Sequence, residues 1–397
     1  LALPRQNQGR PTSDLQINDK NLTFLSFICY TVAGNFIVQG ASAHGKTINW
    51  RPVCFFSCVD PDGDGVELNT FHVFLQQLSL PLVRRDQYIT LVGEFESFCQ
   101  EMGASPAGWT ARAFITELTR TGRDSHENLL ALAHYGRFLN NNEIYVAAFE
   151  LLDGAEVMGN LSQKLAAEVG LVRRDAIFAS VPLPTPGTSG AEKAARMQAV
   201  IDRMERTLDP EVCHRVLGDG LRDLKDEWYL DERRKYQECG GIDAYLVRKK
   251  QDLIAELEHI QAGGGLYFSQ PVTPEMLDFV RCTPEIGGGV RQGNILYVVK
   301  IPYQAHEYVT AGDDLQKRYA YCHCPWVRES LRPGSNLPKV SSTFCQCSLG
   351  FVKKPWEVVF DRPLEAEVVE SVLEGDMWCK IAVHLPEEVL RGGAPGG

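Results

Sequence analysis

The stretch EAEVVESVLEGDMWCKIAVHLP, Glu365–Pro386, decides the fold class. Two apolar runs, EAEVVESVL and WCKIAVHLP, flank the acidic turn Glu374-Gly375-Asp376 and read as a pair of strands. Working outward, KPWEVVF (Lys354–Phe360) reads as helix and GNILYVVKIPY (Gly293–Tyr303) as a buried strand. RYAYCHCPWV (Arg318–Val327) is predicted to be a further strand, and SSTFCQCSLGFV (Ser341–Val352) a strand or strand-to-helix turn. Strand pairs with interspersed helices make residues 266–390 an α+β domain, followed by a flexible tail over 391–397.

Upstream the pattern is helical. Over 81–180, YITLVGEFESFCQEM, WTARAFITELTRTG, ENLLALAHYGRFL and EIYVAAFELLDGAEVMGNL repeat apolar residues at three and four spacing, as antiparallel packed helices do. VPLPTPGTSG, Val181–Gly190, reads as a linker because of its prolines and glycines. Charged amphipathic helices follow over 191–265. Residues 1–80 form a mixed region without a firm assignment. Within it DPDGDGVELNTF, Asp60–Phe71, imitates a calcium loop but has Phe71 where the last carboxylate belongs, so it reads as an acidic turn.

Bulk properties narrow the function. The 397 residues are 44% hydrophobic and 23% charged, ordinary for a globular protein, and a net charge of -11 argues against nucleic acid as the main partner. The apolar stretch Leu22–Val38 is interrupted by Thr23, Ser26, Thr31, Gly34 and Asn35, which speaks against a membrane span. The opening LALPRQNQGRPTSDLQ carries no cleavable leader pattern. Twelve cysteines scattered and then clustered in a chain this long point to reduced thiols and a cytoplasmic location.

Five of those cysteines lie in the last fifth of the chain: Cys322, Cys324, Cys345, Cys347 and Cys379. In an extended segment, residues two apart share a face, so two CxC strands would converge on one pocket. Three chemistries are open to them. They could ligate zinc or iron, both of which take thiolate ligands. One could act as a nucleophile, with His306, His323, Glu329 or Asp376 as acid or base. Some could simply fill a core. His126 and His134 are at helical spacing and read as ordinary surface or core histidines, while Cys213 with His214, and Cys239, are weaker candidates.

CPWVRE, FCQCSLGF and EVVESVLEGDMWCKIAVHLP, taken in order, resemble the C-terminal part of the L-2-amino-thiazoline-4-carboxylic acid hydrolase-like family and the related 4-vinyl reductase small-molecule-binding domains. The resemblance covers roughly residues 290–386. Position by position it implies Cys324 and Glu329 in the first segment, Cys345 or Cys347 in the second, and Glu374, Asp376 and Cys379 in the third. The doubled cysteines depart from the simplest form of that pattern. The expectation is a hydrolase acting on a small sulfur- or nitrogen-containing compound; the alternative is a non-catalytic protein that binds a small molecule, a tetrapyrrole or a metal.

Overall fold

The computed structural model describes residues 68–390 apart from residue 79. The acidic turn at Asp60–Asp64, the apolar stretch Leu22–Val38 and the tail 391–397 lie outside the described residues. The architecture is α+β, all helical in its regular elements up to residue 263 and strand-containing beyond it.

Five helices open it: α1 (Leu68–Gln77), α2 (Leu82–Glu101), α3 (Gly108–Arg120), α4 (His126–Phe138) and α5 (Asn142–Leu152). Short polar side chains start the last two. Ser125 Oγ accepts from the Asn128 N–H at 3.2 Å, and Asn141 Oδ1 accepts from Glu143 and Ile144 at 3.1 and 3.2 Å. A core of Phe71, Tyr88, Phe95, Leu118, Leu132 and Tyr135 fills the space between these helices. Gly136 lets α4 and α5 touch, because a Cβ there would stand 2.5 Å from the Tyr145 nitrogen.

The next helices are α6 (Val157–Val169), α7 (Leu171–Ile177), α8 (Gly190–Thr207), α9 (Pro210–Gly218), α10 (Leu230–Glu238), α11 (Ile242–Gly263) and α12 (Pro274–Cys282). On α8 the apolar side chains Met197, Val200, Ile201 and Met204 recur at helical spacing and are fully buried. They join Met158 and Leu161 on one side of the Pro/Gly segment and Trp326, Phe344 and Val372 far beyond it in one core. The Pro/Gly segment is itself tied down. The Gly187 N–H donates to Asp124 Oδ2 at 2.9 Å, and Lys193 Nζ donates to the Pro186 carbonyl at 3.1 Å.

Two antiparallel sheets follow. The strands β1 (Leu266–Tyr267) and β2 (Gln270–Pro271) make a small ribbon; β3 (Val290–Gln292), β4 (Ile295–Val299), β5 (Ala366–Glu370) and β6 (Lys380–His384) make a sheet of order β3-β4-β6-β5. Between β4 and β5 lie α13 (Ala305–Thr310), α14 (Asp314–Tyr321) and α15 (Cys347–Phe360), and α16 (Glu387–Leu390) closes the described chain. Leu349, Val352, Trp356 and Phe360 on α15 pack on Leu296, Ile381 and Val383 of the sheet. The β5–β6 pairing of the opening stretch is present, with the Glu374 and Asp376 N–H groups both donating to the Ser371 carbonyl across the turn.

Neither CxC segment is a strand. Asp313 Oδ1 accepts from the Gln316 N–H at 2.9 Å and starts α14, so Arg318–Tyr321 are helical and Cys322 caps that helix. The chain then runs as a loop through Pro325. Ser342–Gln346 is a turn of 3-10 helix, and Cys347 is the first residue of α15. Capping and the start of a helix override the local β character here, and the sulfurs are placed by loop and helix ends instead of a shared strand face.

Candidate functional site

Three segments bring the five thiols to one region. Cys322 and Cys324 come from the loop after α14, Cys345 and Cys347 from the turn that opens α15, and Cys379 from the residue before β6. The first loop is anchored by Trp326, which is buried and donates from Nε1 to the Gly154 carbonyl at 2.9 Å. The last is anchored by Tyr321, whose hydroxyl donates to the Cys379 carbonyl at 3.0 Å. Cys322 is 5% exposed, whereas Cys324, Cys345, Cys347 and Cys379 are half-buried, and all are free thiols.

Cys324 and Cys347 are neighbours: Cys347, and then burial, hold the Cys324 thiol well above the ordinary range. Burial does the same to Cys345, reinforced by Cys379 and opposed by the Ser371 hydroxyl, which donates to Cys345 Sγ at 3.2 Å. Burial and then the neighbouring Cys324 and Cys379 push Cys322 upward. For Cys379 burial again raises the thiol, while the Val372 N–H and Lys300 pull the other way. Mutual influence of this kind places these sulfurs in one poorly solvated region. Among the described residues, however, no group of three or more His, Cys, Asp or Glu side chains is disposed so as to hold a metal ion.

The acid and base candidates have structural employment. His323 Nε2 lies 2.5 Å from the Ile301 carbonyl, and since a carbonyl only accepts, the ring donates from that nitrogen. Burial, with Lys300 adding to it, pushes His323 down to about 3, so the ring is neutral. Glu329 is held by Arg332 at 2.7 Å and by the Tyr319 hydroxyl at 3.3 Å. Asp376 Oδ2 accepts from the Ser371 N–H at 2.8 Å and so shapes the turn that aims Ser371 at Cys345; Glu374 is exposed in that turn. His306 is exposed on α13 and pairs with Glu275 at 3.5 Å. His134 is 4% exposed in the N-terminal helices, stacked on Tyr88 at 5.7 Å. Cys213 is buried in the core, and Cys239 packs beside Tyr236 and Tyr245.

Residues that the thiol pattern did not reveal complete the surroundings. Arg222 forms ion pairs with Asp153 and with Glu156, the latter at 3.4 Å, and it favours a thiolate at Cys324. Arg328 is stacked between Tyr303 and Tyr319, each ring centre 4.5 Å away. Lys300 follows β4, and its place directly after the apolar run Ile295–Val299 was the available signal. Beside the α15 turn opens a groove of about 620 Å³ lined by His214, Arg215, Gln346, Lys353, Glu367 and His384 among others. Gln346, between Cys345 and Cys347, puts the thiol turn at its wall.

Residues 300–390 match the model of a family of unknown function, DUF6144. The matched segment contains all five thiols, Lys300 and Ser371. No curated protein and no solved structure matches the chain.

Proposed function

We propose that the thiol region is a dithiol centre that exchanges with a small disulfide, Cys347 being the attacking sulfur and Cys324 the resolving one. What supports this is that Cys347 is the foremost influence on the Cys324 thiol, although the two lie 23 positions apart in the sequence. Cys347 is the better attacker by position. It is half-buried at the opening of α15, and its neighbour Gln346 lines the groove beside that turn.

The electrons balance as follows. The Cys347 thiolate attacks one sulfur of the disulfide, forming a mixed disulfide and expelling one thiolate; Cys324 then gives up its proton, attacks the Cys347 sulfur and expels the second thiolate. The protein is left with a Cys324–Cys347 disulfide, and an external dithiol returns it to the reduced state. The small sulfur-containing compound expected from the sequence is on this reading a disulfide. Hydrolysis driven by a carboxylate has less support, since Glu329 and Asp376 are engaged with Arg332 and Ser371. Ligation of zinc or iron has less support than a pairwise reaction, because no set of three ligands stands ready among the described residues.

The test is rapid mixing of the reduced protein with a chromogenic aromatic disulfide, followed by mapping of the products. Wild type is expected to show a fast phase that releases both halves of the reagent and leaves Cys324 joined to Cys347. Cys324→Ser should release one half and retain the other on Cys347, and Cys347→Ser should lose the fast phase. A fast phase unchanged in Cys347→Ser would reject the assignment.

A further inference from the structure

We propose that Lys300 is the docking group for a negatively charged substituent of the ligand, so that the site takes anionic small disulfides in preference to neutral ones. The inference rests on the dithiol reading above and adds the substrate class to it.

Geometry puts the Lys300 ammonium in the thiol region by two independent routes, one through α15 and one through the strand that leads from Cys379. Its Nζ lies over the Phe351 ring, 5.2 Å from the centre, and Phe351 is one helical turn beyond Cys347 on the same face of α15. In the sheet, Val299 pairs with Lys380, so continuing that antiparallel register by one step sets Lys300 opposite Cys379. The guanidinium of Arg222 approaches the same ring at 5.9 Å. Phe351 is thus bracketed by two cations one helical turn from Cys347.

The two cations differ in what else they hold. Arg222 is already neutralised by Asp153 and Glu156. Lys380, across the strand, is paired with Glu370 at 2.8 Å. Lys300 is half-buried, and among the described residues no carboxylate lies within ion-pair distance of it. An ammonium without a carboxylate partner has its charge available to a ligand carboxylate at this point. An anion seated there would have its disulfide bond within reach of Cys347, one turn away along α15.

Two aromatic disulfides of similar reactivity separate the roles: the dicarboxylate dithiobis(nitrobenzoate) and the uncharged dipyridyl disulfide. In Lys300→Gln the Cys347-dependent fast phase should slow about fivefold with the dicarboxylate, the size of one screened charge contact, and stay within about twofold with the neutral reagent. Lys300→Arg should restore the dicarboxylate rate, and circular dichroism would establish that both variants are folded. Equal slowing with both reagents would show that Lys300 acts on the thiols and not on the ligand, and would overturn the inference. So would no slowing with either. If the fast phase does not depend on Cys347 at all, the dithiol reading falls and this inference with it.

Discussion

At the scale of single residues, burial raises Cys322 and Cys345, and Cys347 with burial raises Cys324. The resolving step at Cys324, release of the second half of the reagent, should therefore keep quickening as pH rises past the ordinary thiol range near pH 9. A pH–rate profile of that step that levels off below pH 8 would contradict this. Ser371→Ala removes the donor to Cys345 Sγ, and chemical denaturation should register a loss of about 1 kcal/mol. A separate residue governs acid stability. Burial lowers His134 to about 4, so the unfolded chain binds its proton first; stability is full above about pH 6.5 and falls as pH drops toward 4. The loss is about 3 kcal/mol at the lower end, and His134→Gln should flatten this part of the curve measured by urea titration at stepped pH.

At the scale of elements, α15 is the part that sets the site. It carries Cys347 and Phe351, packs its other face on the sheet, and is brought in by a contact between two glycines. A Cβ on Gly350 would stand 2.1 Å from the Gly220 Cα, with backbone on both sides and nothing flexible to yield. Gly350→Ala should therefore cost at least about 2 kcal/mol and slow release of the second half of the reagent, because moving α15 parts Cys347 from Cys324. A thermal midpoint and exchange rate both equal to wild type would show that the helix does not need this close approach. The element scale is also where the local signals were misleading. RYAYCHCPWV has strand-like composition, but the Asp313 cap commits its first residues to helix, and the CxC sulfurs then converge through α14 and α15 termini.

At the scale of the whole molecule, the Pro/Gly segment joins regions that share a core. Met158 and Leu161 before it, Met197 and Ile201 after it, and Trp326 and Val372 much further on are buried together. Cleavage within 181–190 should leave fragments that co-elute on size exclusion under native conditions and separate only in denaturant. Fragments that part freely would show that this core does not bind the two sides. The β5–β6 pair, the buried strand β4, the helical pattern before residue 180 and the clustering of cysteines were all legible in the chain, because each depends on apolar period or composition within a short window. The influence of Cys347 on Cys324, the commitment of His323 to the Ile301 carbonyl, and the place of Lys300 over the Phe351 ring were not. Those depend on which surfaces meet when α15 settles between the sheet and Gly220, and on which partners are then left within bonding distance. Local periodicity determined the elements; only long-range packing decided which of their side chains face each other.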